Sequence, residues 1–140
     1  MRHHIGVSED RTHIVQKIRG EITPGPAVKC TEESHALGIS LGLHLYFVDA
    51  TEARNIGGIF DNYELAYHMI DPAKVDRDAA IAILVHPDDH SHDFLETVAR
   101  NAGHNVTLFR DRGQALKHLL KKKAANQRAK KFSPPEFGQQ

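Results

Sequence analysis

The sequence predicts an α/β sandwich, a mixed sheet of about five strands covered by about four helices in the order β-β-α-β-α-β-α-β-α. Three observations carry this. The run AAIAILV at Ala79–Val85 is apolar without a break, as in a strand buried on both faces of a parallel sheet. The stretch Asp78–Asp111 reads strand, capped helix, strand, and a crossover of that length implies parallel pairing with a right-handed connection. The first segment of the chain reads as two strands joined by a polar turn, an antiparallel hairpin.

Taken in order, Ile5–Val7 and His13–Ile22 are the hairpin strands, with a turn around Glu9-Asp10-Arg11 and a bulge expected near Gly20. Thr23 and Pro24 form a helix start, N-cap then first helical position, and Gly42 is the stop after Leu41. Leu43–Val48 is the third strand, followed by a polar loop, DATEARNIGG, over Asp49–Gly58. Ile56, Ile59, Phe60, Tyr63, Ala66, Tyr67 and Ile70 then fall on one apolar stripe of a helix that Asp71-Pro72 ends.

After the buried strand, Pro87 stops the extended run, and Asp88, Asp89 and Ser91 are good N-cap residues. Phe94, Leu95, Val98, Ala99 and Ala102 recur at helical spacing, and Gly103 sits where a left-handed residue is wanted. Val106–Phe109 is the last strand. Ala115, Leu116, Leu119 and Leu120 give the last helix its apolar face.

The 140 residues suit one domain over 1–120, with a basic, flexible tail over 121–140. Residues 117–140 hold seven of the 18 Lys/Arg and one of the 18 Asp/Glu. No aromatic or glycine interleaving marks that tail as a nucleic-acid binder, so it reads as a solvated helix end. A single cysteine, Cys30, excludes an internal disulfide and fits a reducing compartment. In its helical context it reads as a small core residue. No apolar stretch is long enough to span a membrane, and a cytoplasmic protein is expected.

GEIT at Gly20–Thr23, LYFVDATEARN at Leu45–Asn55 and HPDDHSHDFLETVARNAGHNVTLFRD at His86–Asp111 resemble the SpoIIAA-like branch of STAS domains. These are relatives of bacterial anti-anti-sigma factors, with a distant fold likeness to Sec14-type lipid carriers. The resemblance covers roughly residues 3–120. It implies a regulatory module that works by binding, without catalysis and without a cofactor, and the sheet edge that the hairpin strand leaves available points to a protein partner or a second copy, as a homodimer. It also implies an alternative, a small-molecule or lipid carrier whose pocket lies under the Tyr63/Tyr67/Ile70 face and the helix of residues 24–41. Anti-anti-sigma domains carry a phosphorylatable Ser or Thr at the start of the helix after the third strand. The matching loop has no serine, and its one hydroxyl, Thr51, precedes the helix.

In an open α/β sheet, ligands gather at the carboxyl ends of parallel strands. Three loops fall there, Asp49–Asn55, His86–Asp93 and Arg110–Gly113. The candidate ligand or partner site is accordingly Asp49, Thr51, Arg54, Asn55, Asp88, His90, His92 and Arg110, with Glu52, Asp89 and Arg112 beside them. The same residue types also cap helices and pair across loops.

A metal-dependent enzyme is a further reading of HPDDHSHD. His86, Asp88, His90 and His92 are ligand types for Zn²⁺ or Fe²⁺, but neither HExxH nor a cysteine pair supports them. Asp49 with His90 or His92 could form an acid–base pair, although Ser91 does not lie in a nucleophile elbow. The other histidines, His3, His4, His13, His35, His44, His68, His104 and His118, are scattered and read as structural.

Overall fold

The computed structural model describes residues 1–131, and side chains through residue 125. Five strands form one sheet whose spatial order is the chain order. They are β1 (Arg2–Val7), β2 (Ile14–Ile22), β3 (Leu45–Asn55), β4 (Ala80–Val85) and β5 (Asn105–Phe109). β1 runs antiparallel to β2, and β2 to β5 are parallel to one another. The helices are α1 (Pro24–Leu41), α2 (Ile59–Glu64), α3 (Asp93–Asn101) and α4 (Arg112–Lys131). A π-helical turn, Leu65–Met69, continues α2, and a 3₁₀ turn, Pro72–Lys74, leads toward β4. The basic tail expected over 121–140 lies partly outside the described residues, and α4 runs through its first half to Lys131.

Period-two alternation gives the sheet two apolar faces. Leu45, Phe47, Ala80, Ala82 and Leu84 point to one and pack against Ala115 and Leu119 of α4. Ile18, Val48, Ala50 and Val85 point to the other, where Cys30 of α1 joins them. Ile14 and Tyr46 extend that second face toward the amino ends of the strands. Cys30 is fully buried, and burial pushes its thiol up to about 12, which keeps it neutral and inert.

The helix bounded by Thr23 and Gly42 forms as the sequence predicts, with Gly42 left-handed at φ 69°. Gly103 is left-handed as well, at φ 97°. Other expectations need correcting. β3 does not end at Val48: the expected polar loop is mostly strand, paired through Asn55 with the second half of β2. The irregularity expected at Gly20 lies earlier, where Ala50 and Thr51 of β3 face Ile18 alone. That extra residue re-phases β3, so Ala53 turns to the α1 face beside Ala50, and Glu52 turns toward Lys17 and Arg19.

The apolar stripe of residues 56–70 also behaves differently. Asn62, Leu65 and Ala66 are buried, while Ile59 (72% exposed) and Phe60 (73%) face solvent, with Tyr63, Tyr67 and Met69 also exposed. Asn62 is buried because its side chain is fully used. It donates to Gly57 O (3.2 Å) and Gly58 O (2.9 Å) and accepts from Asn55 Nδ2 (2.8 Å). None of Asp88, Asp89 or Ser91 caps α3, whose N-cap position is His92. Asp89 Oδ1 instead accepts the Ser91 N–H (2.8 Å), and Ser91 Oγ accepts the Asn55 N–H (3.0 Å).

Candidate functional site

At the carboxyl ends of the parallel strands, the predicted residues fall into separate small clusters. Asp49 lies within β3 and is 4% exposed. Its Oδ2 accepts from Arg112 Nη2 (2.9 Å) and Lys17 Nζ (3.4 Å), and its Oδ1 from the Thr51 hydroxyl (2.7 Å) and N–H (3.0 Å). Burial raises the Asp49 pKa, but the Thr51 hydrogen bonds and the Lys17 charge outweigh it and hold the carboxylate below its ordinary range. Arg112 also lies over the Phe47 ring, 5.2 Å from its centre. Thr51 is a strand residue whose hydroxyl is already engaged.

A second cluster joins His90, Asp93 and Arg110. His90 Nδ1 is 2.9 Å from Asp93 Oδ2, and Arg110 Nη2 donates to Asp93 Oδ1 (3.0 Å) and Asp89 O (3.0 Å). His92 points elsewhere. It is buried with Nε2 3.3 Å from both Ala53 O and Asp89 Oδ2. Asp88 is exposed; its N–H donates to His86 Nδ1 (3.1 Å), and its Oδ2 lies 4.0 Å from the same nitrogen. Arg54 is exposed beside the Asp89 carboxylate. Among the described residues, no hydrogen bond joins Asp49 to His90 or His92.

The metal-ligand types of HPDDHSHD do not converge. Among the described residues, the one group of three that does is His44, Asp76 and Asp78, whose ligand atoms lie within 4.8 Å of one another. There His44 Nδ1 and Asp76 Oδ2 are 2.7 Å apart, and Asp78 is exposed.

An apolar concavity lies elsewhere, between the second sheet face and the layer formed by α1, the π-helical turn and α3. It is a cavity of about 520 Å³. Ile18, Val48, Ile83 and Val106 form its floor, and Ala27, Leu65, Tyr67, Ile70 and Leu95 roof it. Tyr67 and Ile70 line it as the sequence-level pocket reading expects; Tyr63 does not.

The polar groups of the cavity were not legible. His35 is 4% exposed, stacks on Tyr46 with ring centres 4.4 Å apart, and accepts the Asp76 N–H at Nδ1 (2.9 Å). That bond assigns the ring proton to Nε2. Burial lowers the His35 pKa despite the nearby Asp76 carboxylate, so the ring is a neutral Nε2–H donor. Gln16, 8% exposed, lines the same space. Sequence reasoning missed these residues because they come one each from β2, α1 and β3, with no local motif to link them.

Neither a protein-family model nor a curated protein matches the sequence. Solved structures are similar in fold. An anti-sigma factor antagonist from Mycobacterium paratuberculosis superposes with a TM-score of 0.52 at 12% identity, over 84% of this chain and 94% of that one. An uncharacterised DUF3478 protein with a SpoIIAA-like fold from Shewanella loihica PV-4 gives 0.43 at 17% identity, over 84% and 92%. The chain shares the fold of that anti-sigma factor antagonist, which agrees with the fold its sequence resemblance implies. No helix among the described residues is long and apolar enough to cross a membrane.

Proposed function

We propose that this chain is a non-catalytic binding module that holds one small, mainly apolar molecule in the cavity beneath α1, the π-helical turn and α3. The observation that carries this is the cavity itself. At about 520 Å³ it falls within the roughly 300–1,000 Å³ typical of small-molecule sites, and its apolar wall with a few polar groups is their usual composition. The carboxyl-edge residues fit a structural task better, since Asp49, Asn55, Asp89 and Arg110 all bond to protein groups.

The test is uptake of N-phenyl-1-naphthylamine, a neutral apolar fluorophore, by the wild type and by Ile83→Phe, which fills the cavity from its floor. Saturable one-to-one uptake by the wild type, lost in a folded Ile83→Phe protein, is the expected result. No uptake, or uptake that ignores the substitution, would sink the reading.

A second reading, association with a protein partner or a second copy, is favoured by the solvent-facing side chains of Ile59 and Phe60. Changing both to serine should leave stability within about 0.5 kcal/mol, because neither is buried. If that surface mediates self-association, sedimentation velocity will show a wild-type oligomer that the double variant loses.

A further inference from the structure

The cavity has a polar end and an apolar end. Tyr46 near the start of β3, Asp76 and Arg77 just before β4, and His104 and Asn105 at the start of β5 line it at the amino edge of the parallel strands. Ile18, Ile22, Ile83 and Leu95 line it toward the carboxyl edge, with Val48 between.

The polar end presents donors. His35 Nδ1 is taken by the Asp76 N–H, and its Nε2–H has no partner among the described residues, although the side chain is more than nine-tenths buried. His35 lines the cavity, so a ligand acceptor placed against this donor would take the position of water there. Arg77 lines the same end and forms no ion pair among the described residues. The acid at this end is already occupied: Asp76 Oδ2 lies 2.7 Å from His44 Nδ1, and its Oδ1 accepts the Asp78 N–H at 2.9 Å. The uncommitted chemistry is one neutral donor and one permanent cation beside an apolar cavity.

Building on the ligand-holding reading above, we infer that the cavity takes a single-chain carboxylic acid amphiphile, its carboxylate against His35 Nε2–H and Arg77 and its alkyl chain along Val48, Ile83 and Leu95. Arg77 supplies the charge and His35 the oriented hydrogen bond. A positively charged headgroup on the same chain would meet the guanidinium instead of a counter-ion. The volume suits one alkyl chain rather than two, which argues for a free acid over a two-chain lipid.

The experiment is displacement of bound N-phenyl-1-naphthylamine from the full chain by dodecanoate and by dodecyltrimethylammonium, which share a chain and differ in headgroup charge. Dodecanoate is expected to compete at least about tenfold better, the effect of one charge-assisted hydrogen bond. Arg77→Gln, at an exposed position, should remove most of that preference, read as the ratio of the two amphiphiles' competition constants on the same variant. His35→Gln, if it folds, should weaken dodecanoate as well. Equal competition by the two amphiphiles, or a preference that survives Arg77→Gln, would overturn the headgroup assignment while the cavity still takes the fluorophore. Failure of the fluorophore and both amphiphiles to bind would overturn the assignment and the ligand-holding function together.

Discussion

Gly38 of α1 packs directly beneath the ring of Tyr46. A side chain at Gly38 would place its Cβ 2.7 Å from Tyr46 Cζ, nearer still to the hydroxyl, and 3.0 Å from Leu43 O. Tyr46 is 2% exposed and stacked on His35, so its ring has little room to move away. This contact fixes how closely α1 approaches the sheet at the polar end of the cavity.

Gly38→Ala should therefore destabilise the fold by about 1–3 kcal/mol, the usual cost of overpacking, although alanine is the better helix former. Gly25, in the first turn of the same helix, faces open space, and a Cβ there would meet nothing within 4 Å. Gly25→Ala should be neutral or gain up to about 1 kcal/mol. Urea unfolding of the two variants separates the effects, and Tyr46→Phe should recover part of the Gly38→Ala loss by removing the hydroxyl. Equal midpoints for the two variants would contradict the packing.

Asp49 makes stability depend on acid. Its pKa is depressed in the folded chain, so its stabilisation is fully present above the unfolded carboxylate value of about 3.9 and is lost as pH falls through the lower folded value. Lys17 and Arg112 are partly solvated, with side chains 36% and 57% exposed, which screens the charge contribution. Asp49→Asn should cost about 1–2 kcal/mol at pH 7, and the gap to the wild type should narrow as pH falls from the unfolded carboxylate value of about 3.9 through the lower folded value. A gap that stays constant across that range would show that the charge is not what Asp49 contributes.

Asn62 holds the glycine turn ahead of α2. Its side chain bonds to Gly57 O, Gly58 O and Asn55 Nδ2. Asn62→Ala leaves these groups without their partner and should cost about 1–3 kcal/mol. Hydrogen exchange should rise first at residues 57–64. Unchanged protection there would mean that the turn is held by other contacts.

Much of the fold was legible because local signals and tertiary packing agree. The unbroken run before His86 is a strand apolar on both faces, and Pro24 and Gly42 bracket α1 at the residues that end it. The second half of β3 was not legible. Asp49, Thr51, Glu52 and Arg54 have loop composition, and only the extra residue opposite Ile18 reveals which side chains turn inward. The stripe at residues 56–70 has helical spacing, yet its start faces solvent because Asn62 anchors the helix through a polar clasp. Periodicity reports which residues share a face; it does not report which face is covered. The cavity was legible in outline through Tyr67 and Ile70. Its polar end was not, because Gln16, His35, Tyr46, Arg77 and His104 meet only when four strands and a helix are assembled.

The match between strand order and chain order has a consequence for synthesis on the ribosome. Each strand pairs with the one made just before it, so the sheet can lengthen at one edge without reopening to admit a later strand. α1, α2 and α3 close one face as the sheet grows. The other face, with Leu45, Phe47, Ala82 and Leu84, is bare until Ala115 and Leu119 emerge in α4. A nascent chain that stalls before α4 leaves that apolar surface uncovered, and emergence of the last helix is the step that closes it.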